Sequence, residues 1–115
     1  MRRGEIWTVS GGRDYASKPR PVVILQDDRF DATESVTVCG LTSVGPSDVM
    51  FRVALAPSAG NGLRAASHIM VDKITTVQRA KLGVRIGQVE AGDLMRINQA
   101  VMVFLGIAGR VGQTT

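Results

Sequence analysis

Hydrophobic residues fall in short runs along most of the chain, and these runs predict β-strands. Several runs alternate apolar with polar residues, as strands with one buried face do. Residues 20–25 are instead almost continuously apolar after Arg20, which is typical of a strand buried on both faces. Glycine, proline, serine and aspartate separate the runs and mark turns, with a long loop over 56–66. The predicted strands are 6–9, 20–25, 36–42, 50–55, 68–74 and 85–89.

The segment 91–105 shows the helical repeat of apolar positions and predicts one amphipathic helix. Its stripe, which we expect to face the core, consists of Leu94, Ile97, Val101, Phe104 and Leu105. Met95 and Met102 lie on another face, seven residues apart. We interpret them as additional core residues, and a subunit interface is the alternative.

Closely spaced short strands followed by a single helix predict a small, mainly antiparallel β-barrel that carries a C-terminal α-helix. The chain has 115 residues and a mass of 12.3 kDa, which fits one compact domain. We assign that domain to residues 1–105. The glycine-rich segment 106–115 is expected to be a flexible tail.

The charge balance permits a polyanionic partner without requiring one. Lysine and arginine number 14 against 10 acidic residues, for a net charge of +4 and a pI near 10.0. Most of these cations are arginines, whose planar guanidinium suits phosphate. No apolar run approaches the ~20 residues of a membrane-spanning helix. The first residues do not resemble a signal peptide. We therefore expect a cytoplasmic protein without a membrane partner.

The sequence contains no motif for metal binding, for cofactor binding or for cysteine catalysis. No metal-binding spacing and no glycine-rich phosphate loop occurs, so no metal or other cofactor is predicted. Cys39 is the single cysteine, which excludes an internal disulfide. It lies inside an apolar strand, and we interpret it as a core residue rather than a nucleophile paired with His68. His68, the single histidine, cannot supply the two-imidazole pair that many metal-free ribonucleases use.

Two polar residues stand at strand ends. Arg20 opens the most apolar strand, directly before Pro21, and offers a guanidinium to an anion. Thr42 ends the strand 36–42 and offers a hydroxyl. The alternatives are a surface ion pair of Arg20 with Asp27 or Asp28, and a solvent-facing Thr42 with no further role.

Four segments resemble those of the MazF/PemK family of toxin endoribonucleases, in the same order and with similar spacing. They are residues 3–7 (RGEIW), 20–26 (RPVVILQ), 41–43 (LTS) and the segment 62–77, which contains GL, a serine and DKITTV. A short strand that runs into a final helix is also similar to the end of that family. The resemblance covers about residues 3–105.

The resemblance implies the SH3-like barrel that the family shares with the gyrase poison CcdB, assembled as a homodimer with RNA in the groove between subunits. It also implies a metal-independent, sequence-selective endoribonuclease that cleaves single-stranded RNA or mRNA and is inhibited by a cognate antitoxin. By the same resemblance Arg20 and Thr42 are the catalytic residues. The RNA 2′-OH attacks the phosphorus and leaves 2′,3′-cyclic phosphate and 5′-OH ends.

The candidate substrate-binding residues are drawn from the loops and strand ends around this pair. Tyr15 stands where some family members carry a glutamate, so the general base is left open between Asp14 and Tyr15, with RNA stacking or loop packing favoured for Tyr15. Base readout is expected mainly from polar groups of the loops 13–19 and 44–49. The predicted substrate contacts are Tyr15, Lys18, Ser43, Asp72 and Lys73.

Two other functions compete with RNA cleavage. A CcdB-like inhibitor of DNA gyrase shares the expected fold, but that family acts through a C-terminal Trp-Gly-Ile, whereas residues 104–107 here read Phe-Leu-Gly-Ile. The third possibility is a relative without catalysis that only binds an antitoxin or RNA.

Overall fold

Six antiparallel strands form one sheet in the order β4-β5-β3-β2-β1-β6, followed by one C-terminal helix, in a computed structural model that describes residues 1–10, 19–43 and 51–107. The predicted mainly β architecture with a late helix is confirmed. The elements are β1 (Glu5–Val9), β2 (Arg20–Ile24), β3 (Ser35–Thr42), β4 (Arg52–Leu55), β5 (Ser67–Gln78), β6 (Leu82–Gln88) and α1 (Ala91–Phe104).

The last two strands are longer than the sequence pattern predicts. β5 extends beyond residue 74 through threonines and a valine, which are good strand formers. A single 3-10 turn, Arg79–Lys81, joins it to β6, which begins three residues earlier than predicted. The two strands are therefore nearly continuous along the chain.

The main core lies between one face of the sheet and α1. The helix contributes Ile97 and Ala100, with Leu94 and Val101 packed at the margin. Cys39 lies in this core with no exposed surface, so the prediction of a core cysteine is confirmed. The other strand residues of the cluster are Ile6, Val23, Leu41, Val53, Leu55, Ile69 and Val71, and Leu25 and Val89 directly follow β2 and β6.

A smaller apolar cluster covers the opposite face of the sheet. It consists of Val9, Val22, Ile24, Val36 and Val38, with Trp7 and Leu82 packed against it. β2 contributes alternately to both clusters, since Val23 belongs to the main core and its neighbours do not. The prediction that this strand is buried on both faces is therefore confirmed.

The loop after β4 connects the two edge strands of the sheet. Its Gly60 carbonyl accepts a hydrogen bond from the Gln88 N–H of β6 at 3.0 Å. The loop reaches β6 because Gly87 has no side chain: a Cβ atom there would lie 2.4 Å from the Gly60 oxygen. The buried Asn61 side chain orders the loop by bonding Ala56, Ser58 and Leu63.

The helix ends in a glycine cap. Gly106 has φ +76° and donates to the Val103 carbonyl, while Ile107 donates to Met102, which is the Schellman pattern. No helix in the described ranges is long and apolar enough to cross a bilayer.

Part of the predicted helix packing is wrong. Met95 and Met102 are 65% and 41% exposed, because the sheet covers only the side of α1 that bears Ile97 and Ala100. Phe104 and Leu105, predicted in the core stripe, are also exposed, although the Phe104 ring packs against Phe51 with centroids 5.6 Å apart.

Candidate active site

Arg20 and Thr42 lie at the same end of two neighbouring strands. β2 and β3 pair as Val22 with Gly40, Val23 with Cys39 and Ile24 with Val38. Continuing this antiparallel register by two residues sets Arg20, the first residue of β2, opposite Thr42, the last residue of β3. Directly opposed residues project from the same face of a sheet. The continued register therefore sets Arg20 and Thr42 on the same face of the sheet, at the ends of neighbouring strands.

The carboxylates considered as ion-pair partners of Arg20 bond other arginines. Asp27 lies 3.1 Å from Arg29 Nε, and Asp28 lies 3.1 Å from Arg2 Nη1. Asp28 also accepts a hydrogen bond from the Arg3 backbone N–H at 2.7 Å, and this bond lowers the pKa of its carboxyl. Asp28 thus holds the segment after β2 against the N-terminal residues, while Asp27 caps the 3-10 turn Asp28–Phe30 by accepting a hydrogen bond from the Arg29 N–H.

His68 extends the site across a third strand. It pairs with Thr42 in the β3–β5 ladder, so it lies on the same face as that threonine. His68 is half-buried, and the residue also borders a cavity of about 550 Å³ beside the start of α1. The strand pattern alone does not reveal this neighbour, because an irregularity between Cys39 and Leu41 shifts the β3–β5 register.

Asp72 and Lys73, both predicted to contact substrate, have different surroundings. Asp72 accepts two bonds from Arg52, from Nε at 2.7 Å and from Nη2 at 3.1 Å, and this pair lowers the pKa of the Asp72 carboxyl. Both carboxylate oxygens of Asp72 therefore accept hydrogen bonds from Arg52 on the neighbouring strand. Lys73 is exposed and lines a groove of about 330 Å³ together with Gly40 and Met70, on the face that carries Val22 and Val38.

The remaining predicted contacts surround the two strand ends. Ser43 is exposed and directly follows Thr42. Tyr15 and Lys18 lie outside the described residues, as do most of the loop 13–19 and all of the loop 44–49.

Cys39 has no access to this site as a nucleophile. Burial, followed by the nearby Asp72 charge, raises the pKa of the thiol to about 12. Its Sγ donates to the Met70 carbonyl at 3.0 Å. In the described part of the chain, no group of three histidine, cysteine or acidic side chains is arranged to hold a metal ion.

Comparison with known proteins identifies the family to which this chain is related. A family model described as PemK-like, MazF-like toxin of type II toxin–antitoxin system matches residues 2–105. The chain is 47% identical to the probable endoribonuclease MazF of Mycolicibacterium smegmatis, over 95% of this chain and 100% of that protein. It is 29% identical to endoribonuclease MazF9 of Mycobacterium tuberculosis, over 93% and 98%.

Solved structures with the same fold include an endoribonuclease in complex with its cognate antitoxin from a mycobacterial species. That structure has a TM-score of 0.78 and 25% identity, and the match covers 93% of this chain and 96% of the other. The Mycobacterium tuberculosis toxin MazF-mt6 follows with a TM-score of 0.76 and 25% identity, over 90% and 97%.

Proposed function

Since this chain belongs to the family of PemK-like, MazF-like toxins of type II toxin–antitoxin systems, we propose that it is an endoribonuclease that cleaves single-stranded RNA at selected sequences without a metal ion. The relatives that support the activity are named as endoribonucleases and match almost their full length. Arg20 and Thr42 are the proposed catalytic residues.

The chemistry needs positioning and charge stabilisation more than an added nucleophile. The 2′-oxygen of the substrate forms a bond to the adjacent phosphorus, and the bond from phosphorus to the 5′-oxygen breaks. The 2′-OH loses its proton and the leaving 5′-oxygen gains one, which yields a 2′,3′-cyclic phosphate and a 5′-OH. Because the nucleophile belongs to the substrate, alignment supplies much of the acceleration.

Arg20 and Thr42 act on the charge that gathers on the non-bridging phosphate oxygens. The guanidinium can donate two charge-assisted hydrogen bonds, and the threonine hydroxyl can donate one more. The observation that supports this proposal is the β2–β3 register, which sets the two residues opposite each other when it is continued by two positions beyond Val22 and Gly40. A single phosphodiester can then contact both donors.

The direct test is cleavage of a long mixed-sequence RNA by purified protein in EDTA, with the cut ends mapped. We expect clustered cuts that end in cyclic phosphates, and a loss of about 10²–10³ in rate for Arg20→Ala and for Thr42→Ala. Wild-type rates in either variant would overturn the assignment. Gyrase-dependent DNA breaks without RNA cleavage would instead favour the CcdB-like function, and binding without either product would favour a non-catalytic relative.

The partners follow from the family and from the surface of the helix. We propose a cytoplasmic homodimer in which the exposed α1 residues Met95, Met102 and Val103 are covered by the second subunit. An antitoxin with an acidic segment that folds over the site and covers Arg20 would inhibit it, since such a segment complements the net positive charge. The substrate contacts proposed around the pair are Tyr15, Lys18, Ser43, Asp72 and Lys73.

A further inference from the structure

His68 lies beside the two proposed catalytic residues and has no role in the scheme above. We propose that its imidazole is a third donor to the scissile phosphate, through the N–H at Nε2. This inference rests on the proposed function, because it names a further group that contacts the same RNA phosphate.

The position follows from the strand ladders. Thr42 is paired with His68 on one side and is in register with Arg20 on the other. Neighbouring strands are about 4.8 Å apart, so the row from Arg20 to His68 spans about 10 Å. The long arginine side chain and the imidazole can both reach inward over that distance. All three side chains then contact one phosphodiester that lies above Thr42.

The burial of the ring determines which nitrogen carries the proton. Nδ1 is buried and has no hydrogen-bond partner among the described residues. The side chain as a whole is only half-buried, and Nε2 is not in the same state as Nδ1. A buried N–H without an acceptor is rarer in proteins than a buried acceptor without a donor. A neutral ring therefore carries its proton on Nε2, which makes the accessible nitrogen a donor.

The charged groups that border the cavity next to His68 form no bond with the ring. They are Glu90, Asp93 and Arg96, from the start of α1 and the residue before it. Arg96 Nη2 lies 2.6 Å from Asp93 and also donates to the Ala54 carbonyl at 2.7 Å. Neither acid has a hydrogen bond to Nδ1. No carboxylate therefore accepts a hydrogen bond from the inner nitrogen of the ring.

A donor at this position acts in the transition state. Negative charge on the non-bridging oxygens increases as the 2′-oxygen bonds to phosphorus, so each N–H or O–H aimed at those oxygens bonds more strongly then than in the ground state. His68 therefore raises kcat more than it lowers KM. It transfers no proton, and the proton balance of the reaction is unchanged.

Three substitutions separate a donor from a structural or acid–base role. The amide nitrogen of glutamine can occupy the position of Nε2, whereas that of asparagine occupies the position of Nδ1. We expect His68→Ala and His68→Asn to lower kcat for a labelled single-stranded RNA by about 10²-fold. His68→Gln should stay within about tenfold of wild type, with a parallel pH–rate profile. Thermal unfolding of each variant monitors the fold.

The outcomes also separate this inference from the proposed function. If the wild-type protein cleaves RNA and Arg20→Ala does not, but His68→Ala cleaves at the wild-type rate, the His68 role alone is wrong. Equal loss in His68→Gln and His68→Ala, with a changed pH–rate profile, would overturn the donor role in favour of proton transfer. A wild-type protein that cleaves no RNA would overturn both.

Discussion

Arg52 and Asp72 form a two-point ion pair across β4 and β5, with Nε 2.7 Å from one carboxylate oxygen and Nη2 3.1 Å from the other. Both side chains are about one-fifth exposed or less. Such a planar pair fixes both side chains, so it stabilises the edge strand β4 against its neighbour.

Removing this carboxylate should destabilise the protein in a pH-dependent way. Asp72→Asn is expected to cost about 1–2 kcal/mol at neutral pH, because Arg52 loses a charged partner. The folded-state pKa of Asp72 is lowered, so its contribution is complete above the unfolded-state pKa, near 4, and is lost as the pH falls through the lower folded-state value. Urea unfolding of both proteins at pH 7 and at pH 3 measures the difference. A gap that widens in acid would contradict this account.

The glycine beneath the β4–β5 loop gives a second prediction, with a control elsewhere in the chain. A Cβ at position 87 would meet backbone atoms of Gly60 and Asn61, so Gly87→Ala should destabilise the fold by about 1–3 kcal/mol. Gly92, in the first turn of α1, has no atom within 4 Å of such a Cβ. Gly92→Ala should therefore leave stability unchanged or raise it by up to about 1 kcal/mol. Thermal melts should therefore show a lower melting temperature for Gly87→Ala and an unchanged or higher one for Gly92→Ala.

The cysteine should be inert while the protein is folded. Because Cys39 is fully buried and its thiol pKa is raised to about 12, iodoacetamide at pH 8 should leave it unmodified. The same reagent should modify it completely in denaturant. Rapid labelling of the native protein, followed by mass spectrometry, would show that the core opens locally at β3.

Lys73 should contribute to RNA affinity more than to the chemical step. When binding of a single-stranded RNA loses one phosphate contact, the slope of log K against log [salt] becomes shallower by about 0.7. Lys73→Ala is thus expected to raise KM and to lower that slope, with kcat little changed. Lys81→Ala, at an exposed lysine in the turn before β6, is the matched control and should keep the wild-type slope.

The exposed side of α1 should determine the oligomeric state. Met102→Glu places a charge in the proposed subunit contact, and the desolvation of that charge should convert a dimer to a monomer. The side chain is already 41% exposed in the single chain, so the monomer should keep its fold. Sedimentation equilibrium distinguishes the two states, and circular dichroism checks the fold. An unchanged dimer would place the contact elsewhere.

The order of elements could be predicted because local signals agree with the fold. β2 is a β-branched run after Arg20, and α1 carries apolar residues at helical spacing. The predicted bounds of both elements are therefore close to the observed ones. The packing of Met95 could not be predicted, because periodicity shows that a face is apolar but not which face the sheet covers. The same limit applies to Phe104, which is half-exposed.

The site was only partly accessible to sequence reasoning. Arg20 and Thr42 could be selected as polar residues at strand ends and by resemblance, but strand pairing is needed to set them opposite each other. The pairing of His68 with Thr42 could not be predicted, because it depends on a register shift in β3. Asp72 was selected by its place in a motif, while its partner Arg52 lies twenty residues away in the chain.

The position of β1 has a consequence for synthesis of the protein. Trp7 pairs with Val22 on one side and with Arg85 on the other, so β1 has a neighbour on both sides only after β6 has been translated. A nascent chain that stops before β6 leaves one edge of β1 without a neighbour, and unpaired edges invite aggregation. Such a chain also lacks α1, which covers the main core, so incomplete translation products are expected to aggregate instead of folding.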